Sequence, residues 1–95
     1  MDIALSELKA IFLKEVDHLE KLGYDKINIP IDYYWNIPQE ERYGPYKKPE
    51  NLDIGQISDD WQGLQKILRE DRDPVTYDLV WLSTILRAIG EHTLG

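Results

Sequence analysis

The stretch KINIPIDYYW, Lys26 to Trp35, decides the fold. Ile27, Ile29, Ile31, Tyr33 and Trp35 alternate with Lys26, Asn28, Pro30, Asp32 and Tyr34. A period of two is the mark of a β-strand with one apolar face. The alternation groups Tyr33 and Trp35 with the isoleucines on the core side and turns Tyr34 to the opposite face. Pro30 lies inside the run and has no N–H to give to a ladder, so the strand is expected at a sheet edge.

A strand needs a mate, and the chain offers one short candidate. In Asn51–Gly55, Leu52 and Ile54 alternate with Asp53. The two segments, about 26–35 and 51–55, are expected to form a small antiparallel ribbon, or else to pair across a dimer. A two-stranded ribbon is marginal alone and must lie on helices. Between the strands, residues 36–50 carry three prolines, one glycine and six charges. That composition predicts a long loop. Pro38 is placed to start one helical turn through Arg42, and Tyr43-Gly44-Pro45-Tyr46 reads as a turn.

Three helices flank this middle. Leu5, Leu8, Phe12, Val16 and Leu19 recur at steps of three and four and predict a helix over about 3–22, with Ile11 and Leu22 beside the stripe. Gly23 stands where a left-handed C-terminal cap is expected. Ser58 is placed as the cap of a second helix, about 59–70, with Asp59 and Asp60 in its first turn, where the helix dipole favours negative charge. A third helix, about 76–89, opens near Asp73-Pro74 or Thr76 and stops at Gly90. Its main stripe is Val75, Leu79, Leu82, Leu86 and Ile89, widened by Trp81, Ile85 and Ala88 to nearly half the circumference. It is expected at the centre of the core, with Trp81 and Ile85 available to a dimer if the core cannot cover them. The fold class is therefore α+β, three helices with a two-stranded ribbon and an aromatic loop. An all-α domain with an extended excursion is the alternative. Ninety-five residues suit a single domain, with 90–95 as a flexible tail.

Composition removes several classes of function. The formal net charge is -7. Acids outnumber bases in the first helix, the middle and the final third alike. Nucleic acid and anionic membranes call for a basic patch and are disfavoured as partners. The absence of cysteine excludes thiol chemistry, disulfides and thiolate metal sites. No apolar run approaches the roughly 18 residues of a membrane span. The first ten residues lack the basic-then-apolar order of a secretory leader. A cytoplasmic protein is the expectation.

Chemistry-bearing patterns are sparse. Glu15 and His18 share one helical face in the E-x-x-H spacing that dimetal bundles use twice, but here it occurs once. They are the weak candidates for a metal or an acid–base pair, and no cofactor is expected. The absence of a catalytic motif argues against an enzyme. The aromatic crowd is the main signal. Tyr33, Tyr34, Trp35, Tyr43 and Tyr46 fall within fourteen residues, and tyrosine and tryptophan concentrate at binding surfaces. Tyr34, Tyr43 and Tyr46 are the expected partner-binding residues. The expected function is a small non-enzymatic protein–protein interaction module, self-associating as a dimer or serving as an acidic partner of the immunity type. The alternative is a small-molecule or metal-assisted activity centred on Glu15 and His18.

Overall fold

A computed structural model describes residues 1–95. The element order is α1 (Leu5–Lys21), β1 (Tyr33–Asn36), α2 (Gln39–Arg42), β2 (Asp53–Gln56), α3 (Ile57–Leu68) and α4 (Asp78–Glu91). Four helices and a two-stranded antiparallel sheet make the α+β class read from the sequence. The chain forms two compact units, residues 1–28 with 93–95, and residues 29–92.

The first unit is built on α1. Its stop is a Schellman motif: Tyr24 N–H donates to Leu19 O at 3.1 Å and Gly23 N–H to Glu20 O at 3.0 Å. Gly23 takes φ 99°, a left-handed conformation that glycine alone adopts without a Cβ penalty. No residue of α1 is buried, and Leu5, Leu8 and Ile11 of its stripe are exposed.

The second unit holds the ribbon, α2, α3 and α4. The core is small: Ile57, Ile85 and Ala88 are buried, and Ile29, Tyr34, Leu64 and Ile89 pack against them. Helix α4 supplies two of the three buried apolar residues, which agrees with its expected central place. Its inward face differs from the expected stripe. Val75, Leu79 and Leu86 are exposed, whereas Ile85 and Ala88 are buried. Apolar residues occupy so much of the helix circumference that periodicity alone leaves its rotation open. Polar anchors decide it instead.

The stronger anchor is Arg72. Its guanidinium grips Asp78 through two bonds, to Oδ1 at 2.7 Å and to Oδ2 at 3.1 Å, and also donates to Gly63 O at 2.8 Å. One arginine thus joins the start of α4 to the middle of α3, using the planar fork that matches a carboxylate. Asp78 is only 6% exposed and also accepts the Val75 N–H at 2.8 Å. It satisfies an orphan donor of the approach to α4. Above Gly63 lies the Trp81 ring, close enough to be touched by any added Cβ. Trp81 stands edge-on to Tyr77 with ring centroids 5.6 Å apart.

Helix boundaries shift in two places. Ser58 is not the N-cap of α3. The helix begins two residues earlier than expected, at Ile57 directly after β2, and Ser58 is itself held by Asp32. Helix α4 runs through Gly90 to Glu91 and ends where His92 Nδ1 meets Ala88 O at 2.8 Å. Helix α3 ends in a second Schellman motif, Asp71 N–H to Lys66 O and Glu70 N–H to Ile67 O. Here the left-handed position is filled by Glu70, at φ 58°.

Two outcomes follow from these contacts. Glu70→Gly should raise stability by about 1 kcal/mol in denaturant unfolding, because the left-handed cost to a residue with a Cβ is of that order. Hydrogen bonds from Arg72, followed by that from Val75, hold the Asp78 carboxyl below its ordinary pKa. A carboxyl depressed in the folded state contributes stability above its unfolded value, and that contribution disappears as pH falls through the folded value. Thermal melts should therefore show Asp78→Asn less stable than the parent at neutral pH. The gap should narrow as pH drops below about 4.

Candidate functional site

The second unit presents the aromatic residues, and the ribbon register decides how. Tyr33 lies opposite Gln56, Tyr34 opposite Gly55, Trp35 opposite Ile54 and Asn36 opposite Asp53. Opposed residues share a face, so Tyr33, Trp35 and Ile54 point one way and Tyr34 points the other. Tyr33, Trp35 and Ile54 are 68%, 69% and 61% exposed, whereas Tyr34 packs against the core. The placement expected from the alternation is thus reversed: Tyr33 and Trp35 are outside and Tyr34 is inside.

The reversal has a local cause. Ile27 and Ile29 are half-buried, Pro30 and Ile31 are exposed, and Asp32, Tyr34 and Asn36 are half-buried. The period of two slips by one residue at the bend beside Pro30, and such a slip exchanges the faces of everything after it. The ordered strand begins only at Tyr33. Asp32 turns inward because it has work there. Its Oδ1 accepts the Ser58 N–H at 2.9 Å, and its Oδ2 accepts from Gln56 Nε2 at 2.7 Å and Ser58 Oγ at 3.1 Å. The bond from Gln56, then that from the Ser58 main chain, lower its pKa.

Inside, the Tyr34 hydroxyl donates to Asp60 Oδ2 at 2.6 Å. Thr84 Oγ1 lies 2.7 Å from the same oxygen and 2.8 Å from Trp81 O, with one proton to serve both. This polar knot joins β1, α3 and α4. Burial, then the hydrogen bond to Asp60, pushes the Tyr34 phenol up to about 12. The Tyr34 ring lies over Gly55, where any Cβ would fall within the ring. Glycine inside a strand often marks such a close approach. That was the readable signal for an inward Tyr34. Asp60 and Thr84 gave no signal, since their pairing exists only after folding.

The long loop is tied rather than loose. Glu41 accepts the Asn51 N–H at 3.1 Å and its Nδ2 at 3.0 Å, which fastens α2 to the approach to β2. Arg42 donates to Asn36 Oδ1 at 3.1 Å and to Ile37 O. Tyr43 and Tyr46 are exposed, Tyr46 fully. A groove of about 750 Å³ lies between this arm and α4. Tyr34, Trp35, Tyr43, Leu79 and Val80 are among the apolar residues lining it, and its charged residues are Arg42, Arg87 and Glu91. Neither arginine was singled out by sequence.

Glu15 and His18 lie on α1, in the first unit. Glu15 is exposed, and His18 Nε2 lies 2.8 Å from Gly95 O. No group of three or more His, Asp or Glu side chains is arranged to hold a metal ion. No helix is long and apolar enough to cross a membrane. Compared with protein families, curated proteins and solved structures, the chain matches none.

The raised Tyr34 phenol has a measurable consequence. A group whose folded pKa exceeds its unfolded value contributes stability fully below the unfolded value and loses it as pH climbs through the folded one. Tyrosinate absorbance of the parent minus that of Tyr34→Phe should show one phenol titrating near 12, and Tyr34→Phe should be the less stable protein at neutral pH. A difference curve centred at 10 would place Tyr34 in solvent instead.

Proposed function

We propose that the chain is a small protein–protein interaction module whose contact surface is the aromatic side of its second unit. One observation carries this reading: Tyr33, Trp35 and Ile54 form a contiguous, outward-facing apolar patch on the ribbon, each more than half exposed. At that exposure, the two aromatics alone leave on the order of 300 Å² open to water. Patches of this size on a small protein often mark contact sites. The exposed Tyr43 and Tyr46 extend the same chemistry into the loop.

The side chains suit the role. Tyrosine and tryptophan bury large areas while freezing few torsions, and both keep a polar atom for hydrogen bonding. The ribbon presents them on a backbone held by Asp32 and the Tyr34–Asp60 bond, so little ordering cost remains for binding. Self-association through the patch and capture of a different protein both fit this geometry.

A triple variant, Tyr33→Ser, Trp35→Ser and Ile54→Ser, tests the reading. These side chains are solvent-facing, so the variant should keep the parent circular dichroism. The parent should sediment as a concentration-dependent dimer or retain a partner from a lysate of its source. The triple variant should lose that behaviour. If parent and variant sediment as monomers and retain the same proteins, the patch is not a contact surface.

A further inference from the structure

The groove beside α4 runs along the open edge of β1. Its lining takes Tyr34, Trp35, Asn36 and Ile37 in succession and nothing from Asp53–Gln56 of β2. Successive residues from both faces of a strand line a hollow only when it follows the strand's edge. The absence of β2 from the lining puts it on the edge that β2 does not cover.

That edge carries unused main-chain groups. The Ile57 N–H donates to Asp32 O at 2.7 Å. Asp32 and Ile57 continue the ribbon register by one step, so theirs is a hydrogen-bonded pair. Hydrogen-bonded and non-bonded pairs alternate along an antiparallel ladder. Tyr34 and Asn36 therefore direct their N–H and C=O toward β2, and Tyr33 and Trp35 direct theirs to the open side. Neither Tyr33 nor Trp35 makes a main-chain hydrogen bond outside the ribbon. Natural edges are commonly blunted by lysine, proline or a bulge. Tyr33–Asn36 contains no lysine or proline, and its register is unbroken.

The groove also departs from the charge of the chain. The protein is -7 overall, yet this lining has two arginines and one glutamate. Arg87 pairs with Glu91 at 2.7 Å on the exposed helix face. The Arg42 guanidinium bonds only to the neutral Asn36 and Ile37 and has no carboxylate partner. The opposite wall is the α4 face from Leu79 to Glu91, about 18 Å long at helical rise. That length equals five or six extended residues at about 3.3 Å each.

We propose that the open edge of β1 captures an extended segment of a protein partner by strand addition, and that the segment alternates apolar and acidic residues. Main-chain bonds to Tyr33 and Trp35 supply affinity. Apolar side chains settle against Leu79 and Val80, and carboxylates on the opposite face of the segment reach Arg42, which has no acidic partner of its own. The inference rests on the interaction-module reading and narrows it to one edge and one class of peptide.

The probe is a synthetic acetylated peptide, Glu-Val-Glu-Val-Glu-Val, added to the full chain. Amide resonances of Tyr33 and Trp35 should shift and gain exchange protection. Methylating alternate peptide nitrogens should weaken binding about tenfold or more, because it removes ladder donors while keeping side chains. Arg42→Glu should weaken binding by about tenfold, as should a peptide with lysine for glutamate. Tyr33→Pro compared with Tyr33→Ala isolates the outward N–H of Tyr33, since proline is tolerated at the first residue of a strand. If Tyr33→Pro does not fold, the methylated peptide and Arg42→Glu still decide.

Failure to bind at millimolar peptide overturns the inference. Equal binding of the methylated peptide, or of the lysine peptide, also overturns it. So does a dimer whose protected amides are Tyr33 and Trp35, because the occupant is then a second copy. If the peptide fails while the triple Tyr33, Trp35 and Ile54 variant still loses its partner, the edge is wrong and the interaction module stands. If both fail, the module reading falls too.

Discussion

Asp32 is the constraint on which the second unit depends. Its carbonyl takes the Ile57 N–H, and its carboxylate takes the Ser58 N–H, the Ser58 hydroxyl and the Gln56 amide. Those groups lie at the end of β2 and the first turn of α3, where helix donors have no partner within the helix. One residue thus caps a helix and sets the register of the ribbon. Once Asp32 must face inward, Tyr34 and Asn36 face inward too, and Tyr33 and Trp35 face water. The same bond determines which main-chain groups reach β2 and which reach the open edge.

The rest of the unit follows from that commitment. An inward Tyr34 needs room beneath its ring and a partner for its hydroxyl. Gly55 supplies the room and Asp60 the partner. Asp60 in turn receives Thr84, which fixes the rotation of α4, and Arg72 holds α4 to α3 from the other side. The apolar core between them is only three buried side chains wide. In so small a core, directional polar bonds do more than apolar area to choose one packing among several. The outcome is a rigid ribbon with an aromatic outer face, an open edge and a groove beside it.

Much of this was legible in the chain. Stripes at steps of three and four located α1, α3 and α4 to within a few residues, and Pro38 marked the single turn of α2. The alternation in 26–35 identified extended chain, and the short 51–55 segment was its correct mate. The face assignment failed because alternation carries a phase that holds only while the backbone stays regular. Pro30 and the bend there broke the phase, and the two isoleucines before the break, Ile27 and Ile29, had no bearing on residues after it. The stripe of α4 failed for a related reason. With apolar residues around nearly half the helix, hydrophobicity could not say which part turned inward. Glu15 and His18 stand out by their spacing, whereas nothing in the sequence joins Arg42 to Arg87. A helix shows its i, i+3 neighbours directly, whereas two arginines forty-five positions apart meet only through the fold.

Sequence by itself therefore determined the α+β class, the helix count beyond the single turn, the pairing partner of the strand and the aromatic character of the surface. Each of these rests on local periodicity or composition, which the linear chain displays. Tertiary structure alone decided that Tyr34 is inside, that Tyr33 and Trp35 are outside, and that the free edge of β1 borders a groove richer in cations than the chain as a whole. Those outcomes depend on pairs far apart in the chain, Asp32 with Ser58, Tyr34 with Asp60 and Arg72 with Gly63, whose directional bonds form only once the backbone has brought them together.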